Sequence, residues 1–252
     1  MRRAARTIAF GALALLCAPA ASCKAPATER PETAEERLVR RIDDALGGRE
    51  AWERTRVICW RFFGGREHVW DKARGFARID GLETEAGLAT LVLDLREAPA
   101  VLRGSAWLDG EEVRDEAVLG PLLEAGWRVW VNDSYWMFMP YKLADEGVVL
   151  RALGTSTLLD GSPSELLELT FEGVGVTPQN RYVIDVDART GLVRQWSFWP
   201  SATDEEPRFT LPWNGWQRFG GIMLATEHGR AADWAIEVLD EVPEGTFGGL
   251  DE

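Results

Sequence analysis

The sequence predicts a mainly β protein of the α+β class, a curved antiparallel open half-barrel of about ten strands with two covering helices. From residue 54 onward, most segments alternate apolar and polar side chains with a period of two, which indicates half-buried strands. Two segments instead space their apolar residues as helices do. No stretch after residue 33 resembles a linker or a repeat, so residues 33–252 are predicted to form a single domain.

Residues 1–22 are typical of a secretory signal peptide. Three arginines, Arg2, Arg3 and Arg6, precede a short apolar run that ends at Leu16, and small residues follow it. The run is too short to cross a bilayer core, which takes about 20 apolar residues. The small residues directly before Cys23, Ala-Pro-Ala-Ala-Ser, resemble the bacterial lipobox, in which the cysteine is acylated and becomes the first mature residue. This resemblance implies lipidation at Cys23.

The predicted lipid would anchor the protein to a membrane of the cell envelope, because several acyl chains on one residue hold firmly. Residues 23–32 are polar and contain two prolines, so they are predicted to form the lipidated tether. An Asp directly after the lipidated cysteine would favour retention in the inner membrane. Lys24 occupies that position, so we expect the outer membrane, with the protein facing the periplasm. The alternative is ordinary signal cleavage, which would leave a soluble periplasmic protein with a free cysteine.

Charge and cysteine content exclude a nucleic-acid-binding protein and a disulfide-stabilised scaffold. The formal net charge is −13, and removal of the three signal-peptide arginines makes it −16, so an acidic surface would repel the phosphates of a nucleic acid. Cys59 is the other cysteine of the mature chain, and with Cys23 acylated it has no disulfide partner. Because Cys59 lies within an apolar strand pattern, we expect a small buried side chain rather than a nucleophile.

Two helices are predicted. The first covers residues 33–46, where Leu38, Ile42 and Leu46 share one face and Gly47 follows. The second covers residues 121–131 and is predicted to end at residues 132–133, before an apolar strand at 135–139.

Strands account for most of the remaining chain. Turns are predicted at Asp109-Gly110, at residues 187–191 and at Gly220-Gly221, because these residue types favour tight reversals. The predicted strands are residues 57–63, 67–71, 76–79, 89–95, 148–153, 166–172, 181–187, 192–199, 216–219, 222–228 and 234–239, with a hairpin at 107–113.

Several of these features together resemble the superfamily of bacterial lipoprotein localisation factors and their outer-membrane receptor. They are the signal with Cys23, the helix that ends Ala45-Leu-Gly-Gly48, the strand at 57–63, and the strand–turn–strand Tyr182-Val-Ile-Asp-Val-Asp-Ala-Arg-Thr-Gly-Leu192. The segment 132–142 also resembles a group of uncharacterised lipoproteins with this architecture. The resemblance implies a half-barrel with a helical lid over an apolar cavity that holds acyl chains. It transfers no functional residue of a transport factor to this chain.

Aromatic residues are the candidate ligand-binding residues. Rings at alternating positions of curved strands can line an apolar cavity, or they can simply fill a core. The candidates are Trp60, Phe62, Trp107, Trp130, Trp136, Phe138, Trp196 and Phe198.

The sequence contains no catalytic signature, so we expect neither an enzyme nor a bound cofactor or metal. The two histidines, His68 and His228, are far apart in the sequence and lack the spacing of metal ligands, so we expect them at solvated strand ends. No Gly-x-Ser-x-Gly nucleophile motif is present. Two functional hypotheses remain: an envelope lipoprotein that binds an apolar ligand or acyl chain, and a structural or interaction lipoprotein with a packed core that recognises an envelope protein.

Overall fold

The computed structural model describes residues 30–229 and 234–248. From Glu32 onward these residues belong to one compact unit. The α-helices are α1 (Ala34–Ala45), α2 (Arg49–Arg54) and α3 (Glu116–Phe138), with short 3-10 turns at Phe63–Gly65 and Met139–Tyr141. The strands are β1 (Val57–Arg61), β2 (Glu67–Asp71), β3 (Phe76–Thr84), β4 (Gly87–Asp94), β5 (Arg103–Leu108), β6 (Glu111–Glu112), β7 (Val148–Thr157), β8 (Pro163–Phe171), β9 (Arg181–Asp187), β10 (Val193–Trp199), β11 (Phe209–Pro212), β12 (Gln217–Phe219), β13 (Ile222–Leu224) and β14 (Glu237–Leu239).

The predictions for the N-terminus concern residues that the structure does not describe. The signal peptide at 1–22, the lipidation of Cys23 and most of the tether at 23–32 lie outside the described residues. They therefore stay predictions.

The described strands form two open antiparallel sheets and a separate hairpin. The first sheet has the order β14-β1-β2-β3-β4-β5-β6 and the second the order β11-β10-β9-β8-β7, while β12 pairs with β13. Neither sheet closes on itself, which confirms the predicted mainly β, open architecture. The fourteen described strands exceed the roughly ten predicted, and five of them are only two to four residues long; α2 is an additional helix.

Helix α1 follows the sequence prediction closely. Thr33 caps it through a capping box with Glu36, and Leu38 and Ile42 are buried as their spacing predicts. The chain leaves the helix at Gly47, whose φ is +106°, and a Cβ there would lie 2.4 Å from the carbonyl oxygen of Gly221. Only glycine allows this close approach, which joins the end of α1 to the β12–β13 hairpin.

Helix α3 differs from the prediction. The helix does not end at residues 132–133, and the segment 135–139 is not a strand, because α3 continues to Phe138. Asp133 does not break the helix because its carboxylate is buried and accepts hydrogen bonds from Arg66 and pairs with His68. The last turns of α3 contact both sheets, since Trp130 packs on Trp60 of β1 and Trp136 on Trp196 of β10. Apolar residues therefore occur on every side of the helix, and this hides the helical period.

The predicted turns are confirmed. Asp109 and Gly110 both have positive φ angles and join β5 to β6 in a two-residue hairpin. The carboxylate of Asp187 accepts the backbone N–H groups of Arg189 and Thr190, each at 2.8 Å, and so shapes the turn between β9 and β10.

Most buried residues belong to one continuous core between the helices and the two sheets. A small second cluster of Phe76, Val92 and Phe247 is separate from it. None of the described helices has both the length and the apolar character that a membrane span requires.

Candidate ligand-binding site

Seven of the eight predicted aromatic residues lie in the main core, in two groups. Trp130 and Phe138 pack against Trp60, with ring centroids 5.8 and 5.0 Å from it. The other group surrounds Trp136, whose ring centroid lies 6.4 Å from Phe62, 4.8 Å from Trp196 and 6.3 Å from Phe198.

His68 joins the two groups. Its ring stacks on Trp60 at a centroid distance of 4.6 Å and meets Phe62 edge to face at 6.4 Å. The rings thus fill much of the space between α3 and the two sheets.

Trp107 is not brought together with the other seven. It lies on β5 and packs against the small cluster of Phe76, Val92 and Phe247. A Cβ on Gly248 would lie 3.3 Å from the Trp107 ring, so the indole is partly covered by the end of the described chain.

Open space lies beside Trp130 and Trp136, between α3 and the second sheet. Two clefts share Val131, Tyr135, Phe171, Val174 and Gly175, so they adjoin one another, and together we call them the α3 cleft. The smaller has a volume of about 60 Å³ and the larger about 230 Å³. Trp136 lines the smaller cleft and Trp130 the larger.

One face of α3 forms the floor of the α3 cleft. Trp127, Val131 and Tyr135 follow each other at intervals of four residues, which places them in a row along the helix. The Tyr135 ring meets Phe171, the last residue of β8, at 5.6 Å, and Tyr182 near the start of β9 at 5.5 Å.

The loop between β8 and β9 forms the roof. Val174 lines both clefts, and its side chain also rests on Gly147, because a Cβ at Gly147 would lie only 2.4 Å from Val174 Cγ1. Gly147 has a φ of +80° as well, so a larger residue there would be strained and would displace Val174. Val174 thus covers a largely apolar space and packs against Gly147, directly before β7.

The larger cleft also has polar residues, in the last turns of α3 and after the 3-10 turn at Met139–Tyr141. The Lys142 ammonium lies 3.8 Å from Oδ2 of Asp145, and burial lowers the pKa of Lys142. The Tyr135 hydroxyl is buried and has no hydrogen-bond partner among the described residues. Burial raises the pKa of Tyr135 well above its usual value, with smaller contributions from Tyr182 and Asp145, so the hydroxyl stays protonated.

Sequence reasoning missed most of the cleft residues. The segment 135–139 was assigned to a strand, and that error hid the row that Tyr135 forms with Val131 on α3. Lys142 and Asp145 follow the 3-10 turn at Met139–Tyr141, in a segment that its sequence marks only as a loop. One usable signal is the tyrosine content, since two of the three tyrosines, Tyr135 and Tyr182, line the α3 cleft.

The expectation that the histidines lie at solvated strand ends is wrong. His68 and His228 are each only 1% exposed. The Nε2 atom of His68 lies 3.0 Å from Asp133 on α3, so the pair ties β2 to that helix. His228 packs between Trp213 and Trp234, at centroid distances of 4.4 and 4.3 Å.

Within residues 30–229 and 234–248, no group of three His, Cys, Asp or Glu side chains is arranged to hold a metal ion.

No protein-family model and no curated protein matches this chain. Among solved structures, it is similar to a DUF1329 family protein from Desulfovibrio piger, with 15% identity and a TM-score of 0.44 over 88% of this chain and 98% of that one. A putative outer membrane lipoprotein-sorting protein domain from Vibrio parahaemolyticus has 10% identity and a TM-score of 0.33 over 76% of this chain and 86% of that one. The structure of the Pseudomonas aeruginosa MucA/MucB complex has 16% identity and a TM-score of 0.25 over 66% of this chain and 51% of that one. With TM-scores below 0.5, none of these likenesses decides a function.

Proposed function

We propose that this chain is an envelope lipoprotein that binds an apolar ligand, an acyl chain, in the α3 cleft. The observation that carries the proposal is an open, largely apolar space between α3 and the second sheet, covered by Val174. It differs from a simple packing defect because the loop between β8 and β9 covers it, and Val174 of that loop packs against Gly147. Binding of this kind needs no reaction, cofactor or metal, and we propose none.

The size of the α3 cleft favours a slender ligand. Sites for drug-sized molecules measure about 300–1,000 Å³, and the larger cleft measures about 230 Å³. A single acyl chain can enter such a space lengthwise, and each buried methylene contributes about 0.8 kcal/mol. Affinity should therefore increase with chain length until the cleft is full.

Binding can be tested with the mature chain carrying Cys23→Ser, which keeps it free of its own lipid. We expect saturable binding of a fluorescent long-chain fatty acid. Val131→Glu, which places a carboxylate on the floor of the α3 cleft, should weaken binding at least tenfold because the charge would have to be desolvated.

Val118→Glu is the matched control, since Val118 is an exposed valine at the other end of α3. The control should bind as tightly as the parent chain, and thermal melts of both variants would verify folding. Absence of saturable binding by the parent chain would refute the proposal.

We also propose that Cys23 is acylated and anchors the protein to the outer membrane, facing the periplasm, through the tether at 23–32. The support is the lipobox-like sequence before Cys23 and Lys24 after it. Cells fed an alkyne-tagged palmitate should label the full-length protein, and Cys23→Ser should lose both the label and the membrane association. Equal labelling of the parent and the variant would contradict lipidation at this residue.

A second candidate function, a structural or interaction lipoprotein that recognises an envelope protein, is favoured by the edge strand β7. Val149 and Leu153 on this strand are exposed, and an edge strand offers backbone groups to a partner strand. The carboxylate of Glu35 already accepts the N–H of Ala152 at 2.8 Å, so α1 blocks part of this edge. If the fatty acid does not bind, crosslinking in cells from a photoreactive group at position 153 would test this function.

A further inference from the structure

We propose that the ligand of the α3 cleft is a fatty acid whose carboxylate is bound by the Lys142 ammonium and the Tyr135 hydroxyl. This inference rests on the proposed function, since it names the polar end of the same ligand. Two hydrogen-bond donors of the larger cleft and the carboxylates beside them support it.

Lys142 is the first of these donors. Its backbone N–H donates to the carbonyl oxygen of Met139 at 2.9 Å, so the 3-10 turn after α3 fixes its position at the larger cleft. Its side chain is 26% exposed, and the nearest described carboxylate oxygen, on Asp145, is 3.8 Å from Nζ. That distance is longer than a hydrogen bond. An ammonium group has three N–H donors, so Lys142 keeps capacity for a closer anion.

The Tyr135 hydroxyl is the second donor. Tyr135 lines the same cleft, and its buried hydroxyl has no partner among the described residues. A buried hydroxyl without a partner costs free energy that a ligand acceptor would recover. Tyr135, Lys142 and Asp145 all line the larger cleft, and the Lys142 ammonium lies 3.8 Å from the Asp145 carboxylate.

Both donors therefore call for an acceptor, and a carboxylate at the end of an acyl chain supplies two acceptor oxygens. The ammonium would bind one oxygen through a charge-assisted hydrogen bond and the tyrosine could bind the other. The apolar residues of the cleft, Val131 and Phe171 among them, would contact the methylene chain.

Two carboxylates oppose any anion at this position. Asp145 and Glu146 also line the larger cleft, and the side chain of Asp145 is 53% exposed. Solvent screens exposed charges, so they weaken the binding of a single carboxylate without preventing it. They would repel the doubly charged phosphate of a phosphomonoester more strongly, and this favours a fatty acid over a lipid with such a phosphate.

The test compares three ligands of equal chain length, a fatty acid, its methyl ester and the alkylamine, in titrations of the mature chain carrying Cys23→Ser. We expect the acid to bind at least tenfold more tightly than the ester. Lys142→Met should reduce acid affinity to that of the ester and leave ester binding unchanged, and Tyr135→Phe should cause a smaller loss for the acid alone.

Lys72→Met is the matched control for the removal of a lysine. Lys72 is also partly buried, but its ammonium lies 3.6 Å from the centre of the Trp52 ring and it lines neither cleft. This variant should bind the acid as the parent chain does.

Asp145→Asn gives a result that structural damage could not produce. Removing the competing carboxylate should tighten acid binding severalfold and leave the ester unaffected. The comparison of acid with ester in the parent chain needs no variant at all.

Equal affinity for acid and ester would overturn the carboxylate inference but leave acyl-chain binding intact. Tightest binding of the amine would overturn it in favour of Asp145 as the polar anchor. If none of the three ligands binds saturably, both this inference and the proposed function fail.

Discussion

Cys59 shows how its surroundings determine what a side chain can do. It lies on β1 opposite Glu237 of β14, and burial, followed by the charge of Glu237, raises the pKa of its thiol to about 11. At neutral pH only about one thiol in ten thousand is then a thiolate, which is the reactive form. The thiol is half-buried rather than fully buried as the sequence indicated, and its raised pKa is consistent with the expectation that it is not a nucleophile.

We predict that Cys59 resists alkylation in the folded protein. In the mature chain carrying Cys23→Ser, a thiol reagent should label Cys59 slowly at neutral pH and rapidly once urea unfolds the chain. Labelling of the native protein at the rate of a free cysteine would contradict the raised pKa.

His228 should make the protein sensitive to acid. Burial lowers its pKa from 6.5 to about 3, so the unfolded chain binds a proton on this residue at a higher pH than the folded chain does. Well above pH 6.5 the residue is neutral in both the folded and the unfolded chain, so its protonation does not make the free energy of unfolding depend on pH. As the pH falls from 6.5 towards 3, the free energy of unfolding decreases by about 1.4 kcal/mol per pH unit.

His228→Phe should remove this part of the acid sensitivity while keeping an aromatic ring between Trp213 and Trp234. Urea unfolding at pH 7 and pH 5 should show a decrease about 2 kcal/mol larger for the parent chain than for the variant. If both lose the same stability, His228 is not the group that titrates.

Helix α3 is the element on which both the fold and the α3 cleft depend. Gly126 is buried against β4, and a Cβ there would lie 2.6 Å from Cδ1 of Leu91, whereas a Cβ at Gly120 in the same helix would meet no atom within 4 Å outside its chain neighbours and the helix backbone. Gly126 therefore allows α3 to approach the first sheet closely.

The same substitution at these two glycines should have different effects. Gly120→Ala should change the free energy of unfolding by less than about 1 kcal/mol, because the gain in helix propensity is offset by the contact of the new Cβ with the ring of Pro121. Gly126→Ala should destabilise it by about 1 kcal/mol or more, because the core around Leu91 is closely packed. Chemical denaturation of both variants checks this, and equal stabilisation by both would mean that α3 does not pack as described.

Asp133 should be the most sensitive polar residue of α3. Its carboxylate is fully buried and pairs with Arg66 and His68. Asp133→Ala would leave both partners without their anion, so we expect a loss of about 3 kcal/mol in the free energy of unfolding. Glu124→Ala removes an exposed carboxylate from the same helix and should change stability little, and similar losses for the two variants would refute the role of Asp133.

The elements that the sequence predicted correctly are those determined by local chemistry. Residues close together in the sequence are enough to indicate the capping box of Thr33 and Glu36 at the start of α1 and the hairpin at Asp109-Gly110. The second half of α3 depends on distant residues, because Arg66 and His68 make Asp133 compatible with a buried helix. A sequence pattern does not contain that information.

At the scale of the whole molecule, the sequence predicted an open β architecture with helices against it, and the described residues confirm this. The site was harder to predict, because the α3 cleft combines α3 with the ends of β8 and β9 and with the loop around Val174. Only the packing of the helix between two sheets determines which aromatic rings fill the core and which face open space. Trp130 and Trp136 belong to both the predicted set and the observed cleft.

The location of a bound acyl chain tests the central claim most directly. A crystal structure of the mature chain carrying Cys23→Ser, grown with a fatty acid brominated along its chain, would show the bromine by anomalous scattering. We predict the bromine between Val131, Phe171 and Val174, within the α3 cleft. Bromine bound only at an exposed apolar residue such as Leu159, or a cleft without ligand at saturating fatty acid, would contradict the account.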